Sequence, residues 1–134
     1  MYIYNTKIRL FHTDAAGLIF YSNLFNIGYE CYEEFLEKSG FSVRKILNDG
    51  KLQIPVVHAE ADYFKPLRLG DKIKIIMTLN SSGKSSFTLD YILFNECDEK
   101  VAKLKTTHVL VDVKSGRPIT IPKKLFEILG SLNI

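Results

Sequence analysis

Between Ser22 and Gly40 the hydrophobic period of this chain changes, and that change limits what it can fold into. The segment SNLFNIGYECYEEFLEKSG repeats Leu24, Ile27, Gly28, Cys31, Phe35 and Leu36 at helical spacing, while Glu30, Glu33, Glu34, Glu37 and Lys38 fall mostly on other faces. The surrounding segments read as strands. YIYNTKIRLF alternates before the helix, and LQIPVVHAEADYF, DKIKIIMTL, SFTLDYILFN and KVAKLKTTHVLVDV follow it. The short polar links NSSGKS and ECDE suit hairpins. One long helix followed by consecutive strands predicts an α+β architecture in which an antiparallel sheet wraps a helix.

Local signals refine this picture. Ser22 is placed to cap the helix start and Gly40 to close its end. Gly28, in mid-helix, disfavours the helix unless something must approach closely, which predicts a helix pressed against the sheet. Residues 42–49 predict a second short helix between Ser42 and Gly50, and Pro122 opens a terminal one, PKKLFEILG. At 134 residues, without repeats or linkers, one domain spanning residues 1–134 is expected. A sheet covered by one helix leaves edges exposed, which predicts a homodimer joining two sheets, with the choice between homodimer and homotetramer left open.

Several function classes are disfavoured. The apolar runs are too short for a membrane-spanning helix, and MYIYNTKIRL lacks the pattern of a secretory signal, so the expected location is cytoplasmic. Cys31 and Cys97 lie far apart and form neither a disulfide framework nor a zinc spacing. The net charge of +3 is spread over residues such as Lys65, Arg68, Lys72, Lys74, Lys84, Lys103 and Lys105. No dense patch favours nucleic acid, and a small anionic ligand fits better. There is no G-x-S-x-G motif. GKSS at 83–86 has Thr78 where a phosphate loop needs glycine, and it lies in an expected hairpin. His12, His58 and His108 are dispersed, so no metal site is expected.

The remaining candidate is TDAAGLIFYSN, residues 13–23. Unpaired N–H groups at a helix start form an anion site that could hold a developing oxyanion. Asp14 could then act as nucleophile or as general base on water, with Gly17 letting the turn approach a ligand. Taken alone, an Asx-type turn explains the string better.

The fuller string TDAAGLIFYSNLF, followed by the amphipathic helix, resembles the signature of hotdog-fold acyl-CoA thioesterases of the 4-hydroxybenzoyl-CoA thioesterase type. ADYFKPLRLGDKIKI and KTTHVLVDVKSGRPITIP resemble further segments of that family, so the likeness runs from Lys7 to about Pro122. IGYECYEEFL, LQIPVVHAEADYFKPLRLGD and TTHVLVDV are similar to the branch acting on 1,4-dihydroxy-2-naphthoyl-CoA in quinone biosynthesis. The resemblance implies a long central helix wrapped by a five-stranded antiparallel sheet, with Asp14 as catalytic carboxylate. It places Gly17 in the turn around the thioester and uses the Tyr21 backbone N–H to polarise the carbonyl.

His12 stands where the family often has a second aspartate, a change that would favour an ionised Asp14 if the two are close. His58, ahead of His108, is the candidate for hydrogen-bonding a ring hydroxyl in an aryl pocket. For both, a strand histidine satisfied by a backbone carbonyl is the simpler expectation. Tyr63 and Phe64 are candidate pocket walls. The resemblance implies no metal and no organic cofactor, with CoA phosphates held by lysines and arginines that often come from a neighbouring subunit. A short-chain aliphatic acyl-CoA thioesterase and a non-catalytic acyl-CoA-binding domain are the rival expectations. A dehydratase on this fold would want a histidine where Asp14 stands.

Overall fold

The computed structural model describes residues 1–133. The helix expected from the change of period runs from Asn23 to Lys38 (α1) and buries Leu24, Ile27, Gly28, Cys31, Tyr32, Phe35 and Leu36. The strands are β1 (Tyr2–Lys7), β2 (Leu52–Gln53), β3 (Val56–Tyr63), β4 (Lys72–Ser82), β5 (Ser86–Phe94), β6 (Lys100–Val109) and β7 (Val111–Asp112). Five of them form an antiparallel sheet in the order β1-β4-β5-β6-β3, and β2 pairs with β7 separately. The central helix against this sheet is the hotdog architecture, an α+β fold.

Alternation places the core. Ile73, Ile75 and Met77 of β4, Phe87, Leu89, Tyr91 and Leu93 of β5, and Ala102 and Leu104 of β6 are buried. Gly28 meets this surface so closely that a Cβ there would lie 2.8 Å from Leu104 Cδ1. The glycine is therefore the point where helix backbone touches the sheet.

Three expected strands are shorter than their sequence patterns. β1 stops at Lys7, because Ile8 pairs with the Gly70–Asp71 turn and Leu10–His12 forms a single 3-10 turn. The segment expected as one strand from Leu52 breaks at Ile54–Pro55, where proline offers no N–H to a ladder. The last strand breaks at Leu110, whose N–H goes to the Ser85 carbonyl.

The helix ends also differ from one another. Beyond α1, Gly40 has φ +81°, Gly40 N–H donates to Glu37 O and Phe41 N–H to Leu36 O, a Schellman closure. The short helix α2 (Val43–Asp49) is capped by Ser42, whose hydroxyl accepts from Lys45 N–H at 3.1 Å. Ser22, expected to cap α1, does not. It occupies the N-cap position with helical φ −70° and ψ −21°, and its side chain makes no cap bond. The chain is already turning when it enters, since Asn23, Leu24 and Phe25 donate to Phe20, Tyr21 and Ser22 carbonyls. A terminal helix α3 (Lys123–Gly130) follows Pro122 and buries Leu125 and Leu129.

Strand β3 is an edge, and of its residues only Ala61 is partly buried. Among the described residues no helix is long and apolar enough to cross a membrane.

Candidate active site

The site is built on the turn between β1 and α1. Asp14 Oδ1 accepts from Ala16 N–H at 2.8 Å and Leu18 N–H at 3.4 Å, and Asp14 N–H donates to Leu18 O. This is an Asx turn, so the bland explanation of the string is part of the structure. It uses one carboxylate oxygen. Among the described residues Oδ2 has no hydrogen-bond or ion-pair partner, and Asp14 is exposed. Gly17 has φ +76°, which a side chain would strain, and its carbonyl accepts from Leu69 N–H.

The turn is fastened to the helix start. His12 O accepts from Phe20 N–H at 2.9 Å and from Asn23 Nδ2 at 2.8 Å, while Ile19 N–H donates to Leu67 O. Among the described residues, the N–H groups of Tyr21 and Ser22 have no acceptor. Two adjacent donors at the positive end of a helix dipole therefore stand open, and the turn that leads to them carries a free carboxylate oxygen. The Tyr63 hydroxyl donates to the Tyr21 carbonyl, which brings the C-terminal end of β3 to the same place. Partial burial, aided by Tyr21, raises the Tyr63 phenol's pKa and keeps it a donor. A cleft of about 300 Å³ opens here, lined by Leu18, Ile19, Tyr63, Phe64, Lys65, Pro66 and Leu67.

The sequence profile of the thioesterase-like superfamily matches residues 8–129, nearly the whole of this architecture. The chain belongs to that superfamily. A 1,4-dihydroxy-2-naphthoyl-CoA hydrolase from Gloeothece citriformis is 34% identical over 135 residues, covering 99% of this chain and 94% of that protein. A putative esterase from Aquifex aeolicus is 35% identical over 128 residues, covering 96% of this chain and 97% of that one. The crystal structure of a 1,4-dihydroxy-2-naphthoyl-CoA thioesterase from Synechocystis superposes with a TM-score of 0.93 at 25% identity, covering 99% of this chain and 98% of that one. The chain is thus a thioester hydrolase of the acyl-CoA type, closely related to the 1,4-dihydroxy-2-naphthoyl-CoA hydrolases.

Within this thioesterase the sequence-predicted residues separate into two groups. Asp14 and Gly17 share the turn that leads to the helix start, where Tyr63 meets Tyr21. His12 lies behind it and is enclosed, with Nδ1 accepting from Arg9 N–H at 2.8 Å and Nε2 buried without a partner. That bond fixes the neutral tautomer with hydrogen on Nε2. Burial lowers the His12 pKa, and the nearby Arg9 charge adds to this against an opposing pull from Glu30. An enclosed neutral imidazole supports the turn from the rear and has no open path to a substrate.

His58 is exposed on β3, its Nε2 3.3 Å from Glu60 Oε1, and it lines neither the cleft nor any other cavity described below. Neither a pocket role nor a core role fits it within one chain. His108 is wholly buried, stacked on Phe87 at 4.8 Å, with Nε2 2.9 Å from the Thr106 hydroxyl instead of a carbonyl. Burial pushes its pKa down to about 4. Cys31 is inert by the same cause, since burial, helped by Glu34, pushes its thiol up to about 12. Among the described residues no three His, Cys, Asp or Glu side chains gather to hold a metal ion.

Sequence reasoning missed Asn23. Its amide ties the Asp14 turn to α1 and its Oδ1 accepts from Asn26. The available signal was that Asn23, directly after Ser22, is itself a helix-start residue type.

Proposed function

We propose that this thioesterase hydrolyses 1,4-dihydroxy-2-naphthoyl-CoA, an aromatic thioester, to the free acid and CoA in menaquinone or phylloquinone biosynthesis. One observation carries the mechanism: Asp14 keeps a free carboxylate oxygen on the turn that runs into a helix start whose Tyr21 and Ser22 N–H groups are open. The thioester carbonyl oxygen accepts from the Tyr21 N–H, and negative charge gathering on it meets the helix dipole. Two routes use this geometry. Asp14 attacks the carbonyl carbon and expels the CoA thiolate, leaving a mixed anhydride for water to open. Alternatively, Asp14 takes a proton from water, which attacks and expels the same thiolate. Label found in Asp14 after turnover in isotopically labelled water requires the anhydride.

The substrate reading draws on relatives named for this thioester, which align over nearly the full chain. Lys65, Lys72 and Lys74 are paired with Glu99, Glu96 and Asp98. Arg68, Lys84, Lys103 and Lys105 make no ion pair among the described residues, so they are the better candidates for CoA phosphates. No metal or organic cofactor enters either route. The open edge of β3 favours a homo-oligomer, and the proposed compartment is the cytoplasm.

The deciding assay is thiol release from 1,4-dihydroxy-2-naphthoyl-CoA, benzoyl-CoA and butyryl-CoA. The proposal expects the naphthoyl thioester to lead by kcat/KM. A lead for butyryl-CoA would move the chain to short aliphatic substrates, and no turnover would leave an acyl-CoA-binding domain.

A further inference from the structure

His12 joins the Asp14 turn to the segments on either side of it. On one side its ring closes the 3-10 turn, with Nδ1 accepting from Arg9 N–H at 2.8 Å. On the other its carbonyl accepts from Phe20 N–H at 2.9 Å and from Asn23 Nδ2 at 2.8 Å. Asp14 is two residues further on, so a rotation of the His12 peptide is passed to the carboxylate. Of these three bonds, only the one at Nδ1 depends on a protonation state.

The ring has a second arrangement within reach. Nε2 carries its hydrogen in an enclosed position with no acceptor among the described residues. Glu30 of α1 is the acidic group acting on the ring, and Arg9 of its own turn is the basic one. Glu30 also accepts from the Tyr4 hydroxyl of β1 at 3.3 Å, a long bond that leaves the carboxylate with capacity to spare. Asp71, on the turn paired with Ile8, is committed to Arg68 N–H. A groove of about 480 Å³, lined by Lys7, Arg9 and Lys72 among others, brings solvent to Arg9.

A proton arriving at Nδ1 changes both contacts. Nδ1 becomes a donor facing the Arg9 N–H, so one hydrogen bond is replaced by two opposed donors. The imidazolium also gains an attraction to Glu30 that the neutral ring lacks. Both effects draw the ring away from Arg9 and open the 3-10 turn, and the His12 carbonyl moves off Phe20 and Asn23 with it. Enclosure disfavours the charged ring, which sets this transition below the ordinary histidine range. In neutral solution the latch is shut.

We propose that His12 is a positioning residue for Asp14: as a neutral imidazole it holds the carboxylate turn against the start of α1, and as an imidazolium it releases it. The inference rests on the reading of Asp14 as the catalytic carboxylate.

The test compares the full chain with its His12→Asn and His12→Leu variants. Asparagine Oδ1 can replace Nδ1 as the acceptor for Arg9 N–H and does not titrate, whereas leucine keeps the bulk and offers no acceptor. In neutral solution His12→Leu should lower kcat for thiol release about ten- to a hundred-fold with KM within about twofold, the signature of misplaced chemistry with binding kept. His12→Asn should recover most of the wild-type kcat. As pH falls below 6.5, wild-type kcat should decline before that of His12→Asn, because any limb set by Asp14 itself is common to both. Hydrogen exchange supplies a readout independent of turnover: protection of the Phe20 N–H should fall in acid in wild type and hold in His12→Asn.

Superimposed pH profiles for wild type and His12→Asn, or an asparagine variant as impaired as the leucine one, overturn the inference. So does wild-type kcat in His12→Leu. The wild-type and asparagine profiles decide the matter even where the leucine variant does not fold. Full turnover in Asp14→Asn overturns the reading of Asp14 instead, and Phe20 protection then still decides whether His12 holds the turn.

Discussion

At its C-terminal end α1 closes on itself, whereas its N-terminal end is left open. Gly40 and Phe41 return their N–H groups to Glu37 and Leu36, and Lys124 Nζ reaches the Gly40 carbonyl at 2.8 Å. At the other end Ser22 withholds its hydroxyl, two N–H groups find no acceptor, and Asn23 spends its amide on the Asp14 turn. Local capping chemistry was available at both ends and was used at one. Open donors are what a helix start needs to receive an external oxygen, so the asymmetry supports the reaction site proposed above.

The comparison breaks most visibly at Asp14. Asp14→Asn should reduce thioester turnover by about a hundred- to ten-thousand-fold, the range of a lost acid–base group. The melting temperature should hardly move, because the amide oxygen can still accept from Ala16 and Leu18 N–H. Equal activity in the two proteins would detach the open end from the chemistry.

Beneath the middle of α1, Tyr32 packs on His108 with ring centroids 4.7 Å apart. The folded His108 pKa of about 4 lies below the unfolded value near 6.5, so unfolding takes up a proton. Its contribution to stability is complete above pH 6.5 and is lost as pH falls toward 4, amounting to about 3 kcal/mol. Denaturant unfolding across that window should show the slope, and His108→Gln should flatten it. An unchanged slope in the variant would assign the loss to other groups.

At the closed end, Gly40→Ala should destabilise by about 1 kcal/mol, because alanine is strained at φ +81°. Ser42→Ala, which removes a true cap bond, should have a similar effect. The smallest effect is expected at the open end, where Ser22→Ala should stay within about 0.5 kcal/mol. A full kilocalorie there would mean that Ser22 caps α1 in solution.

Much of this was legible in the sequence where local physics decides. The helix bounds followed from period and from Gly40, Ser42 and Gly50, and Gly28 announced its own contact. What could not be read depends on which segments meet. PVVHAEADY has the same character as the buried strands, yet strand order places it at the sheet edge and turns His58 outward. The segment from Leu52 divides because Leu52 and Gln53 find β7 as a partner, and no local signal shows that. The Asp14 string was readable as a turn and as a site, and it is built as the first with one oxygen left for the second.

Gly28 also governs how the site can move. Helix backbone lies against Leu104 with no side chain between them, in an interior packed too tightly to yield gradually. That contact resists sliding or rolling of α1 over the sheet, which favours a fixed position for its open donors. The Asp14 side is freer, because the turn is held by a few backbone bonds and Gly17 stands in open space. In the proposed mechanism the oxyanion donors are then the stationary half of the site, and the carboxylate is the half that can swing.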